Sequence, residues 1–267
     1  MMDLKKVSLL AASLIGLAGL GLPTAASGDV QELLKLTRVA EQIAFDIEEN
    51  RRLMQLKCAA SERCNVYQKE LVSSLESAEK NLSLGPVVVP LIAEMFQHME
   101  PGEPEALLAF YRSDVGRKVV QLEAAGRGAE LLEKVKQEGA AIYGRQTDER
   151  FALLEGIDSQ ADFSPARRML DRLADRVVDW LEKTAEENEL QGAPTDVQVP
   201  DRSRHAYHQW LAAVFESMSD EDLAVYVEFL ESGPGEQWMA THRDLRRRSV
   251  ETAIAPVLDR LAGRLGD

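Results

Sequence analysis

Cysteine is scarce in this sequence, two in 267 residues, which excludes a cystine-dense scaffold and a four-thiolate zinc site. Glycine and proline, 17 and 10, are too few for a collagenous or low-complexity chain. Positive charge is in deficit: 31 Lys and Arg face 45 Asp and Glu, for a net −14. So acidic a chain repels a polyphosphate backbone unless it carries a separate basic face, and no nucleic-acid partner is expected. Beyond residue 27 no apolar run is long enough to span a bilayer. Catalytic motifs are also missing. There is no Gly-x-Ser-x-Gly, no His-Glu-x-x-His and no phosphate-cradling glycine loop. Ser77 and Lys80 have the spacing of serine–lysine acylases, but the companion motifs of that chemistry are absent. The many acidic pairs single out no two carboxylates for glycoside chemistry. What is present is 45% apolar residues, enough to bury a real core in one large domain or two ordinary ones.

The first 27 residues read as a secretory signal peptide. Lys5 and Lys6 outweigh Asp3, and Val7 to Leu22 is uncharged, apolar or small. Pro23 to Ser27 then supplies small residues for cleavage after Ala26 or Ser27. The run falls short of the ~20 residues that an anchor needs. A soluble, exported product, periplasmic or secreted, is the expectation. In that compartment Cys58 and Cys64 are expected to pair. Six residues at about 100° each would set the two sulfurs about 240° apart on a continuous helix, so pairing requires a break within Ala59–Arg63. Those five residues are not strong helix breakers. A hairpin clamped by the disulfide is favoured over a redox catalyst, which would use Cys-x-x-Cys spacing.

The sequence repeats itself. At an offset of 119 residues Phe96 meets Phe215, Met99 meets Met218, Phe110 meets Phe229, Ser113 meets Ser232 and Gly116 meets Gly235. Leu107, Leu108 and Tyr111 align with Tyr226, Val227 and Leu230, at the spacing of an apolar helical stripe. The expected organisation is a signal peptide over 1–27 and two homologous helical units, 28–147 and 148–267. The fold class is all-α, without a sheet. Helices are predicted from Val30 to Leu56, from Asn65 to Leu82, from just after Pro86 to Met99, and from Ser164 to about Glu189, with a loop over Gln191–Pro200. Val87–Val89 is the only strand-like run, and its flanking prolines argue against a central strand.

The repeated motif is Phe110-Tyr111-Arg112-Ser113-Asp114-Val115-Gly116-Arg117-Lys118 and Phe229-Leu230-Glu231-Ser232-Gly233-Pro234-Gly235-Glu236-Gln237. It reads as a helix–corner–helix. The serine caps the second helix, the glycine admits a close backbone, and the aromatic wedges into the core. The run from Pro90-Leu91-Ile92 through Phe96 to Lys118 resembles the family known as domain of unknown function 2059. The second copy is similar more loosely, with Leu230, Glu231 and Gln237 where the first has Tyr111, Arg112 and Lys118. The resemblance implies an exported, all-helical bacterial envelope protein and brings no activity, cofactor or catalytic residue.

Candidate sites follow from the residues that remain. Tyr111, Arg112, Arg117 and Lys118 are candidate binding residues at the first corner. His205 and His208, three apart on a predicted helix with Asp201 a turn upstream and Glu216 beyond, could hold a divalent metal. His98 and His242 are isolated and are expected at the surface. Arg243, Arg246, Arg247 and Arg248 form the one basic cluster, read as a solvated face offset by Asp244 and Glu251. Its alternative role is docking an anionic lipid head group or acidic partner, with Arg243 and Arg247 on one face. Met95, Met99, Met218 and Met239 are expected in the core rather than around copper. The leading functional expectation is a non-enzymatic binding or scaffolding protein of the envelope, with no cofactor and a protein or envelope component as partner. The alternatives are a metal-binding protein using His205 and His208, and a peripheral membrane protein using the Arg243–Arg248 face.

Overall fold

The computed structural model describes residues 24–79, 82–161, 163–197 and 203–265. Most of the signal-peptide reading, together with Lys80 and Asp201, lies outside the described residues, as do the side chains of Ser164 and Pro165. Twelve α-helices and one short 3-10 turn form the described chain, with no strand among those residues. The all-α class is therefore correct. The helices are α1 (Thr24–Thr37), α2 (Val39–Ala60), α3 (Gln68–Glu79), α4 (Gly85–His98), α5 (Glu103–Arg112) and α6 (Asp114–Gly126). They continue as α7 (Ala129–Gly144), α8 (Asp148–Ala161), α9 (Phe163–Glu187), α10 (Arg204–Val214), α11 (Asp220–Leu230) and α12 (Gly233–Leu265).

Local chemistry sets the boundaries. Gly102, at φ 96°, opens α5, and Glu103 and Glu105 place acids in its first turn, where the helix dipole favours them. The hydroxyls of Ser203 and Ser219 accept from the amides of Ala206 and Asp222, starting α10 and α11. Val87–Val89 is helical, within α4. The predicted loop is present over its described part, 191–197.

One boundary differs from the sequence reading. The helix expected from Val30 to Leu56 is broken at Arg38, which sits in the left-handed region at φ 52°. Neither glycine nor proline marks the spot. The side chain of Thr37 donates to Leu33 O at 2.7 Å, and Arg38 itself pairs with Glu41. These two local contacts stabilise a break that helix propensity does not predict.

The long α12 is the axis of the molecule. It packs against α2, α3 and α4 from the first half of the chain and against α9 and α11 from the second. Around it α9 lies along α2, α10 along α7, and α11 along α8. Buried apolar residues from Val30 to Leu261 form one continuous cluster, so residues 28–147 and 148–267 share a core. Burial of this kind is the main stabilising term of the fold. Met95, Met218 and Met239 are buried in that cluster and Met99 packs against it, as expected of core positions.

Candidate functional site

The disulfide predicted at Cys58–Cys64 is present, with Cα atoms 4.9 Å apart. The helix breaks where the geometry requires, since α2 ends at Ala60 and a 3-10 turn carries Cys64. Both sulfur-bearing residues are fully buried.

The two corners have the same local construction. Ser113 Oγ accepts from Gly116 N at 3.0 Å and donates to Phe110 O at 2.6 Å. Ser232 Oγ accepts from Gly235 N at 3.3 Å and donates to Phe229 O at 2.6 Å. Each serine oxygen is thus engaged twice by backbone. A Cβ on Gly116 would lie 2.1 Å from Phe110 O, and one on Gly235 would lie 1.9 Å from Phe229 O. Only glycine allows the second helix to fold back this closely on the first.

The corners also meet each other. Phe110 and Phe229 stack with centroids 3.6 Å apart and planes 1° from parallel. Lys118 on α6 pairs with Asp222 on α11 at 2.9 Å. Gln237 on α12 donates to Glu103 on α5 at 3.0 Å. Residues 118 and 237, and residues 103 and 222, are related by the 119-residue offset, so the contact is reciprocal in the way that a two-fold interface is.

The remaining corner candidates are occupied within the chain. Arg112 forms a two-pronged pair with Glu32 on α1, at 2.8 and 2.9 Å, and a further bond to Glu105 at 2.8 Å. That bidentate bond to Glu32 holds the Arg112 guanidinium above its ordinary pKa and lowers that of Glu32. Arg117 caps its own corner through Asp114 and Arg112 O. Tyr111 is buried, against Trp238 and Phe229.

Beneath the corners lies a buried polar network that the sequence reading missed. Glu123 on α6 accepts from Tyr226 Oη at 3.0 Å and from Gln42 Nε2 at 3.2 Å, with Arg127 a turn further along. Burial raises the Glu123 carboxyl above its usual range, against the lowering effect of Arg127, the Tyr226 hydroxyl, Arg246 and Gln42. Burial likewise raises the Tyr226 hydroxyl well above its usual value, reinforced by Glu123. On α12, Arg246 reaches Asp46 on α2 through two nitrogens, Nη2 at 2.9 Å from Oδ1. His242 stacks on Trp238 and is buried rather than exposed. Burial, together with Arg246, Arg127 and Arg243, depresses its pKa well below the usual value. The Nε2 of His242 has no hydrogen-bond partner among the described residues.

These groups border a cavity of about 20 Å³ lined by Thr37, Gln42, Tyr111, Glu123, Tyr226 and His242, among others. That volume suits about one water molecule, far below the few hundred Å³ of a small-molecule site. One signal in the sequence could have located the network. The offset of 119 pairs Glu123 with His242 and Arg127 with Arg246: an acid on α6 and an arginine just past its end, matched by a histidine and an arginine one turn apart on α12.

The other candidates are placed as follows. His205 is exposed, and Gln209 Nε2 lies 2.9 Å from its Nε2. His208 is more enclosed, with Nε2 3.2 Å from Asp158 Oδ2 and its ring beside Tyr143 and Phe151. No group of three metal-ligating side chains gathers here or elsewhere among the described residues. Glu216 faces Lys134 and Arg145 instead. In the basic cluster Arg247 pairs with Asp244 and Glu251, and Arg248 pairs with Asp244. The reading of all four arginines as a solvated face is corrected for Arg246, which turns inward to Asp46. Among the described residues no helix is long and apolar enough to cross a membrane. No family model, no curated protein and no solved structure matches the chain.

Proposed function

We propose that this chain is an exported helical protein of the bacterial envelope, periplasmic or secreted, that works by binding or scaffolding and not by turnover. The resemblance of residues 90–118 to the domain of unknown function 2059 family points the same way. The observation that carries the reading is the reciprocal corner contact, Phe110 on Phe229 with Lys118–Asp222 and Gln237–Glu103 to either side. The repeated motif, which is the most distinctive feature of the sequence, acts as a fastening. Its serines are already bonded to backbone and are poor nucleophiles for that reason. The Cys58–Cys64 disulfide supports an oxidising compartment. The partner is a protein or another envelope component, docking over the two corners.

Native mass spectrometry of the full chain from the exported fraction of its host, followed by cross-linking in intact cells, tests this. The expected result is an oxidised chain beginning near residue 27, without a bound small molecule, cross-linked to a defined partner. Hydrolytic turnover abolished by a single Ser77, His205 or His208 substitution would overturn it. So would a stoichiometric metal that survives dialysis and is lost in a His205→Ala/His208→Ala variant.

A further inference from the structure

The Cys58–Cys64 loop does more than close on itself. The segment 188–197, which leads from α9 toward α10, lies across it and is tied down by the loop's backbone. Gly192 N donates to Glu62 O at 2.7 Å and Thr195 N donates to Ala59 O at 2.8 Å. Asn65 Nδ2 donates to Ala193 O, and Asn188 lies 3.5 Å from the Tyr67 hydroxyl. Fit is close as well. A Cβ on Gly192 would lie 3.1 Å from Val66 Cγ1 and 3.2 Å from Glu62 O.

Those two carbonyls are available only because the helix is interrupted. In a continuous helix Ala59 O and Glu62 O would point along the axis and accept from Arg63 N and Val66 N. Ala59-Ala60-Ser61-Glu62-Arg63 has the composition to continue the helix, and the disulfide forbids it, because its sulfurs cannot meet across an unbroken helix. The covalent bond therefore holds the loop in the one conformation that presents acceptors to the 188–197 segment.

We infer that the Cys58–Cys64 disulfide is a redox-set latch for the 188–197 strap. With two thiols, α2 extends through residues 59–63, the acceptors are withdrawn and the strap is released. Oxidation by a small-molecule disulfide forms the S–S bond, reduces that oxidant to two thiols, reopens the helix and closes the strap. Closure is thereby coupled to arrival in an oxidising environment. The latch is tested on purified protein, so its failure would leave the scaffold reading untouched.

The experiment is hydrogen exchange with mass spectrometry on the oxidised full chain and its Cys58→Ala/Cys64→Ala variant. Exchange over 190–197 should accelerate about tenfold or more, while exchange over 59–66 slows as that stretch joins the helix. Loss of protection in both stretches, or no change in either, overturns the latch, as does acceleration spread through the whole chain. A second variant, Gly192→Val, keeps the disulfide and pushes the strap away from Val66. It should accelerate exchange over 190–197 alone. By linkage it should also shift the dithiothreitol equilibrium of the disulfide toward thiols by the same factor, about tenfold. An unmoved equilibrium overturns the proposal even if the double cysteine variant fails to fold.

Discussion

The ring of Phe110 lies flat on the ring of Phe229, centroids 3.6 Å apart, although 119 residues separate them in sequence. Each ring belongs to the last turn of the helix before its own corner, so the stack joins the two corners back to back. Tyr111 meets Phe229 edge-on and Tyr226 lies parallel to Phe110, extending the contact into an aromatic core. Truncating either ring should therefore be felt by both corners. Phe229→Ala is expected to destabilise by about 3 kcal/mol and the half-buried Phe110 by about 2 kcal/mol. In the double variant the losses should fall short of their sum by about 1 kcal/mol, the coupling of a stacked aromatic pair. Urea unfolding of the four proteins measures it, and strict additivity would mean that the rings are neighbours without interacting.

The corner glycines separate close approach from helix propensity. Gly116→Ala and Gly235→Ala place a methyl within 2.1 and 1.9 Å of a carbonyl oxygen. Backbone cannot yield as a side chain can, so each should lose about 3 kcal/mol or more, a severe effect for one methyl group. Gly263, near the end of α12, has nothing within 4 Å. There the same substitution should stabilise by about 0.5 kcal/mol, since alanine is the better helix former. Thermal melting of the three variants is sufficient. A tolerated Gly116→Ala would show that the corner can open without penalty.

Much of this was legible in the sequence because it is written locally. Serine caps, the glycine three residues later, and helical stripes all act within a few residues, so the corners and the all-α class follow from spacing alone. Even a break within Ala59–Arg63 follows once the cysteines pair, since two cysteines six apart cannot be bridged on an intact helix, and the helix ends at Ala60. The rest depends on partners far along the chain. Asp46 and Arg246 are 200 residues apart, and nothing near Arg246 distinguishes it from Arg247 or Arg248. His242 stands alone in the sequence for the same reason, because its surroundings are Trp238 on its own helix together with residues of α1, α2, α5, α6 and α11. The kink at Arg38 carries no breaker residue and was invisible to propensity.

Acid should loosen the fold through His242. Its folded-state pKa lies well below the 6.5 of the unfolded chain, through burial and three arginines. The unfolded state therefore binds more protons once the pH falls below about 6.5, and stability declines until the folded value is reached. Glu123 works in the opposite direction. Its raised pKa makes the folded state the better proton acceptor as pH falls toward 4.5, so it offsets part of the loss. Between pH 7 and pH 5 the unfolded chain takes up the imidazole proton that buried His242 refuses, so the urea midpoint should drop across that interval. In His242→Phe the drop should vanish or reverse, exposing the contribution of Glu123. A midpoint that falls equally in both proteins would place the acid sensitivity elsewhere.

Arg246, Arg247 and Arg248 of the basic cluster should respond very differently to alanine. Arg247 and Arg248 are about half exposed and paired with Asp244 and Glu251 on their own helix. Such pairs are screened by solvent and their loss should cost at most about 0.5 kcal/mol. Arg246 is largely buried, and its partner Asp46 is more so. Removing the guanidinium leaves a carboxylate in the core without its counter-charge, which should cost about 3–5 kcal/mol. Asp46→Asn in the Arg246→Met background should recover part of that, because the stranded charge is then gone while its amide can still hydrogen-bond. Equal effects across Arg246, Arg247 and Arg248 would contradict the inward placement of Arg246. The contrast also bears on the membrane alternative. A lipid-docking face would have to work with Arg243, Arg247 and Arg248 alone, and the latter two already face carboxylates on their own helix. Replacing Asp244 and Glu251 with their amides frees Arg247 and Arg248 and is then the change that should increase flotation with vesicles containing anionic lipid; unchanged flotation would exclude that face as a lipid-docking surface.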